Sequence, residues 1–259
     1  MSFEGTSHRA FFAVSALLFA TSTAVTVIWA ISMSTMGGMP MLGGWTMSMT
    51  WMPGKDWSGA ALSFLGMWVV MMIAMMMPSL VPMLLSYRQA IGTERHGHAS
   101  LLTVLVGAGY FFVWTVFGIA VFPLGVTLAT ATMYLPGLSR AVPIAVGVIV
   151  LIAGLLQFTG WKAKQLACCR QASGCNSSMP VGMGKAWIQG LRFGLHCSQC
   201  CFGLIIILLI IGVMDLRMMA LVAAAITAER LAPAWMPVAQ TTGILVAGAG
   251  LFLIARAAF

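Results

Sequence analysis

The chain has 259 residues, 61% hydrophobic and only 7% charged, and its 13 Lys and Arg against 5 Asp and Glu give a formal net charge of +8. A soluble domain carries roughly 25% charged residues, so a water-covered globular surface is excluded. The positive charges sit mostly between apolar runs, where they act as topology signals rather than as a nucleic-acid footprint; no Gly-rich Walker loop is present, which argues against ATP-driven transport within this chain.

In chain order, a short polar start ends at Arg9, and residues 10–32 form a first span whose apolar run continues past any signal-cleavage position, so it reads as a retained helix. Residues 33–58 break the pattern with Gly37, Gly38, Pro40, Gly43, Gly44, Pro53 and Gly54, the residues of a loop. This Met/Gly/Trp-rich segment holds seven methionines, Met33, Met36, Met39, Met41, Met47, Met49 and Met52, and three headgroup-type tryptophans, Trp45, Trp51 and Trp57. A second span covers 59–87, with a kink expected at Pro78 and Pro82. A polar connection through Arg88 to His98 leads to a third span over 100–122, then a less regular stretch from Pro123 to Arg140, then a fourth span over 141–160.

The longest polar segment, 161–192, carries Lys162, Lys164, Arg170, Lys185 and Arg192 together with Cys168, Cys169 and Cys175. A fifth span over 193–213 is expected to hold His196, Cys197, Cys200 and Cys201 in its first turns. Asp215 and Arg217 mark a tight turn before a short sixth helix, 216–231, and a seventh follows at 237–255. The expected fold is an all-α polytopic helical membrane protein with about seven transmembrane helices, residues 1–259 forming a single integral membrane domain. With the N-terminus in the cytoplasm, the inner side carries nine of the 13 Lys and Arg residues and the outer side four. The positive-inside rule favours this orientation. It places 33–58 outside and 161–192 at the cytoplasmic face.

All six cysteines fall between Cys168 and Cys201, beside His196. Thiolates bind Cu(I), zinc and iron–sulfur clusters, and the two-residue gap of Cys197-x2-Cys200 lets two sulfurs meet one metal. The plainer alternative is that several cysteines are small apolar fillers. Methionine thioethers are soft, uncharged ligands able to hold Cu(I) without losing a proton. The loop series Met33-x2-Met36-x2-Met39-x-Met41 has the spacing of a copper-capture segment, or of a flexible apolar loop resting at the headgroups. On the second span Met67, Met71 and Met75 share one helix face, with Met72 and Met76 beside it. They form either a thioether ladder or ordinary packing. Ionisable residues at membrane depth are functional candidates by default, and Glu229 and Arg230 are of that kind, with structural pairing the plainer reading. No nucleophile–base–acid pattern or paired carboxylates are visible, so a non-enzymatic role is expected.

Three blocks now on the page resemble a bacterial family of predicted metal-binding integral membrane proteins, a domain of unknown function. They are Trp68-x5-Ala74-Met75-Met76-x-Pro78-x3-Pro82 through Tyr87; Lys164-x3-Cys168-x-Arg170; and Gly190-Leu191-Arg192-x-Gly194-x2-Cys197-x2-Cys200-Cys201, continuing to Gly212-Val213-Met214-Asp215 and Met218. The resemblance spans about residues 60–232 and implies metal binding, with Cys168, Cys197, Cys200 and Cys201 in the matched positions. Cys169, Cys175 and His196 are additions of this chain.

The expected function is binding and handling, including transport, of a soft metal ion, foremost Cu(I), with zinc as the other candidate. The lipid bilayer is the expected partner, a protein partner or larger membrane complex is left open, and no nucleic acid is expected. The rival function is a structural or assembly subunit of a membrane complex that moves no metal. The topology is tested first: single cysteines introduced at Ser48 and at Ser173 in a cysteine-free background should label with an impermeant reagent from opposite sides of the membrane. Labelling of both from one side would overturn the orientation.

Overall fold

The computed structural model describes residues 2–34, 38–40, 46–48, 57–91, 96–170, 182–212, 215–232 and 235–258. Eight helices account for almost all of them: α1 (Ser2–Ser34), α2 (Trp57–Ile91), α3 (His96–Tyr134), α4 (Pro136–Leu156), α5 (Gly160–Arg170), α6 (Met183–Ile211), α7 (Leu216–Leu231) and α8 (Trp235–Ala258). Six of these, α1, α2, α3, α4, α6 and α8, are long and apolar enough to cross a membrane. The chain is thus an all-α polytopic helical membrane protein. Helix α7 has 16 residues, about 24 Å at 1.5 Å per residue, and is the short member of the expected seven. Within 33–58, two strands, β1 (Gly38–Pro40) and β2 (Thr46–Ser48), pair antiparallel with Met39 opposite Met47, where the sequence suggested only a loop.

Three boundaries differ from the sequence expectation, each for a packing reason. Helix α3 runs through Pro123 to Tyr134, and the break falls at Leu135, because Pro136 sits in the first turn of α4, where its missing N–H is no loss. The polar segment 161–192 is helical over Gly160–Arg170 and again from Met183. Its second helical part is held by Ala186, Gln189 and Gly190, which are buried against the bundle. The thiols of α6 therefore lie in the middle of a 29-residue helix and not in its first turns. Gly182 and Gly212, with φ of 141° and 146°, bracket α6 in a backbone region that favours glycine.

Glycines set the closest helix contacts. A Cβ at Gly190 would run into the Val106 carbonyl, and one at Gly194 would meet Tyr110 O at 2.9 Å, so α3 and α6 pack backbone to backbone in parallel. Helices α4 and α8 pack antiparallel in the same way, through Gly147 on Ile254, Gly250 on Leu151 and Gly154 on Ala247. Small residues let helix backbones approach where lipid supplies no hydrophobic drive. Trp68 lies over Gly118 and donates Nε1–H to Trp114 O at 2.8 Å, which joins α2 to α3.

Polarity is distributed inside out. Leu17, Ile28, Leu62, Val104, Ile119, Ile152, Leu245 and Phe252 are exposed, as a lipid-facing surface requires, whereas Lys162, Glu229, Arg230 and Gln189 are buried. The α4–α8 contact yields a direct test. A Cβ at Gly154 would stand 2.5 Å from Ala247 N, while one at Gly137 would meet nothing within 4 Å. Gly154→Ala should cost about 1–3 kcal/mol through overpacking, and Gly137→Ala should be neutral or slightly stabilising. Thermal unfolding of the two detergent-purified variants checks this.

Candidate metal centre

The residues with chemistry converge on one buried region where α2, α3, α5, α6 and α7 meet. Cys197, Cys200 and Cys201 fall on the inward face of α6 because spacings of three and four return to the same side of a helix; all three are buried and reduced, as is Cys169 of α5. Cys197 Sγ and Cys201 Sγ stand 3.9 Å apart. Two thiolates sharing a tetrahedral ion at ~2.3 Å would be separated by about 3.8 Å, whereas an ion held linearly between two sulfurs would need about 4.6 Å, so the pair would open by roughly 0.7 Å to hold a two-coordinate ion.

Cys197 is the most heavily coordinated of the thiols. Tyr110 donates its hydroxyl to Cys197 Sγ at 3.0 Å. Arg230 donates Nη1–H to the same sulfur at 3.3 Å and to Ser79 Oγ at 2.9 Å, and its Nη2 lies 3.8 Å from Met83 Sδ. Both Tyr110 and Arg230 are buried, so the hydroxyl and the guanidinium act on the sulfur with little screening by water. Charge-assisted donors of this kind favour the thiolate, the form that binds metal.

A second sulfur pair lies alongside. Cys169 donates to Cys200, and this hydrogen bond, together with burial, holds the Cys169 thiol well above its ordinary range. Lys162 donates to the Cys200 carbonyl and pairs with Glu229 Oε2 at 2.9 Å, both side chains nearly fully buried. Burial alone would pull the Lys162 ammonium down, but Cys200 and Glu229 outweigh it and the net shift is upward, so the lysine stays charged. The structural pairing that the sequence suggests for Glu229 is made with a lysine of a different helix.

His196 is half-buried, with Nδ1 3.2 Å from Gln165 Oε1 of α5, and is thus engaged beside the thiols rather than among them. Met67, Met71 and Met75, with Met72 and Met76, are buried in the same core as the four cysteines and face protein rather than lipid. The side chains of Met33, Met36, Met39, Met41, Cys168 and Cys175 lie outside the described residues. Among the described residues no set of three or more His, Cys, Asp or Glu side chains is gathered to hold a metal ion. The described sulfurs form a chain of neighbours, Cys197 with Cys201, Cys201 with Cys200 and Cys200 with Cys169. A pair of soft donors suits a soft ion such as Cu(I), whereas harder divalent ions need more ligands.

Sequence reasoning missed Tyr110, Ser79 and Met83 as neighbours of the thiols. One signal for Arg230 was present, an arginine preceded by a glutamate late in an apolar helix; Tyr110, Ser79 and Met83 carried none.

The fold and this centre define a helical membrane protein with a sulfur-rich, cation-flanked interior. Comparison with known families narrows the class: residues 65–253 match the PpoB2 family, described as a copper chaperone, and the chain belongs to that family. Its function is accordingly copper-related. No curated protein and no solved structure matches the chain.

The buried ion pair gives a prediction. Lys162→Met leaves the Glu229 carboxylate buried without its nearest cation and should cost about 3–5 kcal/mol. The double variant Lys162→Met, Glu229→Leu should recover most of that loss, since removing both members of a buried pair is often neutral. A double-mutant cycle on unfolding midpoints measures the coupling.

Proposed function

We propose that this chain receives, holds and passes on copper as Cu(I) inside the membrane, with copper as cargo rather than as a resident cofactor. The observation that carries the reading is the Cys197–Cys201 sulfur pair at 3.9 Å, with Arg230 donating to Cys197. Cu(I) is soft and monovalent and is well served by two sulfurs. Each thiol that ligates gives up its proton, and the Tyr110 and Arg230 donors stabilise the thiolate that remains. Cys200 and Cys169 form the next pair for a handover, and the buried thioethers Met67, Met71 and Met75 line α2 as weak ligands that bind without deprotonation. Met33, Met36, Met39 and Met41 are the proposed capture segment on the outer side, Cys168, Cys175 and His196 being auxiliary donors near the inner thiols.

In this reading the protein sits in a bacterial inner membrane with a cytoplasmic N-terminus, delivers copper to a separate protein partner, and catalyses no reaction. Cys197→Ser and Cys201→Ser should each weaken Cu(I) binding by at least the roughly 10–100-fold that loss of an outer-shell partner costs a metal site. Elemental analysis and competition with a Cu(I) chelator on detergent-purified, reduced protein measure this. Replacing Met67, Met71 and Met75 with leucine, close to methionine in volume, should leave folding intact and slow the transfer of copper.

The burial of those same methionines also fits a second reading, a structural or assembly subunit in which they only pack. Full retention of copper in the cysteine variants, or none in the wild type, would favour that reading.

A further inference from the structure

The guanidinium beside the thiol pair has a consequence for which ion the site accepts. Arg230 Nη1 stands 3.3 Å from Cys197 Sγ and is held there by Ser79 Oγ at 2.9 Å and Met83 Sδ at 3.8 Å. Those two anchors belong to α2, the sulfur to α6 and the arginine to α7, so the cation is pinned by three helices and only 6% exposed. An arginine cannot leave the site by losing its proton. Nearby, Lys162 pairs with Glu229 at 2.9 Å, and its positive charge also acts on Cys200 and Cys201, in the same sense as Arg230.

An ion ligated by Cys197 would lie ~2.3 Å from its sulfur and hence roughly 5 Å from the guanidinium. The fixed positive charge helps the thiolate but opposes the ion. The opposition grows with the charge of the ion, while the help to the thiolate is common to every ion that binds there. At this distance and in a partly polar interior, each added unit of ionic charge weakens binding on the order of a hundredfold before relaxation. Softness alone cannot make this distinction, because soft ions of charge +1 and +2 both favour thiolates.

We propose that Arg230 is a specificity-determining residue which, by holding a permanent positive charge against Cys197, makes the Cys197–Cys201 pair a site for monovalent soft cations and excludes divalent ones of equal softness. This rests on the reading that the pair binds copper, and it adds a reason why zinc and other divalent ions are rejected. Binding of a monovalent ion by the two thiols releases two protons to solvent; the two thiolates, the ion and Arg230 then sum to zero charge. A divalent ion would leave that group with one positive charge in a buried setting.

The test uses the full-length protein in detergent with a phosphine reductant, Ag(I) as the redox-inert monovalent probe and Cd(II) as the soft divalent probe. Affinities for both are measured for the wild type, Arg230→Gln, Arg230→Lys and Cys197→Ser, with free dithiothreitol as a dithiol that has no cation beside it. The expected results are a wild-type Ag(I)/Cd(II) affinity ratio at least tenfold above that of dithiothreitol, a fall of tenfold or more in that ratio in Arg230→Gln, and a ratio within about threefold of wild type in Arg230→Lys. A wild-type ratio equal to that of dithiothreitol overturns the proposal even where Arg230→Gln does not fold. So does an unchanged ratio in a folded Arg230→Gln. Wild-type protein that binds neither ion, or Cys197→Ser that binds both unchanged, instead overturns the copper-binding reading on which the proposal rests.

Discussion

A guanidinium buried among sulfurs is the constraint around which the interior is arranged. Arg230 cannot be neutralised, and an isolated charge of that kind would be costly away from water. The protein answers with Ser79 and Met83 from α2 and Cys197 from α6, and so three helices are required to meet at one height. The short helix α7 exists in this position because Asp215 starts it, accepting from Arg217 N and Met218 N, and because 16 residues later its end reaches the thiols. Lys162 and Glu229 repeat the logic one layer over, joining α5 to α7.

Such an interior tolerates polar groups only if the helices around them are held close, and glycine does this. The parallel contact of α3 and α6 through Gly190 and Gly194 carries Tyr110 to within 3.0 Å of Cys197. A side chain at either glycine would push the helices apart and lengthen that hydrogen bond. Packing and chemistry are therefore the same arrangement here: the backbone approach that substitutes for a hydrophobic drive in lipid also sets the distance between hydroxyl and sulfur.

A family described as copper chaperones must bind an ion tightly enough to keep it and loosely enough to release it. In the proposed reading, neighbouring sulfurs serve that demand by sharing the ion during exchange. Cys197 with Cys201, and Cys200 with Cys169, are placed side by side on α5 and α6. The thioethers of α2 are buried in the same core, close to the Arg230 guanidinium, which reaches Met83 Sδ.

The sequence by itself determined the class of the protein. Seven percent charge and long apolar runs leave no soluble solution, and the run lengths located α1, α2, α3, α4, α6 and α8. It also singled out Cys197, Cys200 and Cys201, because all six cysteines crowd between Cys168 and Cys201 and the two-residue gap of Cys197-x2-Cys200 lets two sulfurs meet one metal. Local pattern misjudged Pro123 and residues 183–192, since neighbouring helices hold a proline or a polar turn helical where composition alone predicts a break. Only the tertiary structure decided that Arg230 and Tyr110 belong to the thiols and that Glu229 belongs to Lys162. Those partners lie 33, 87 and 67 positions away along the chain, and contacts at such separation are set by how helices pack, for which no local periodicity carries a signal.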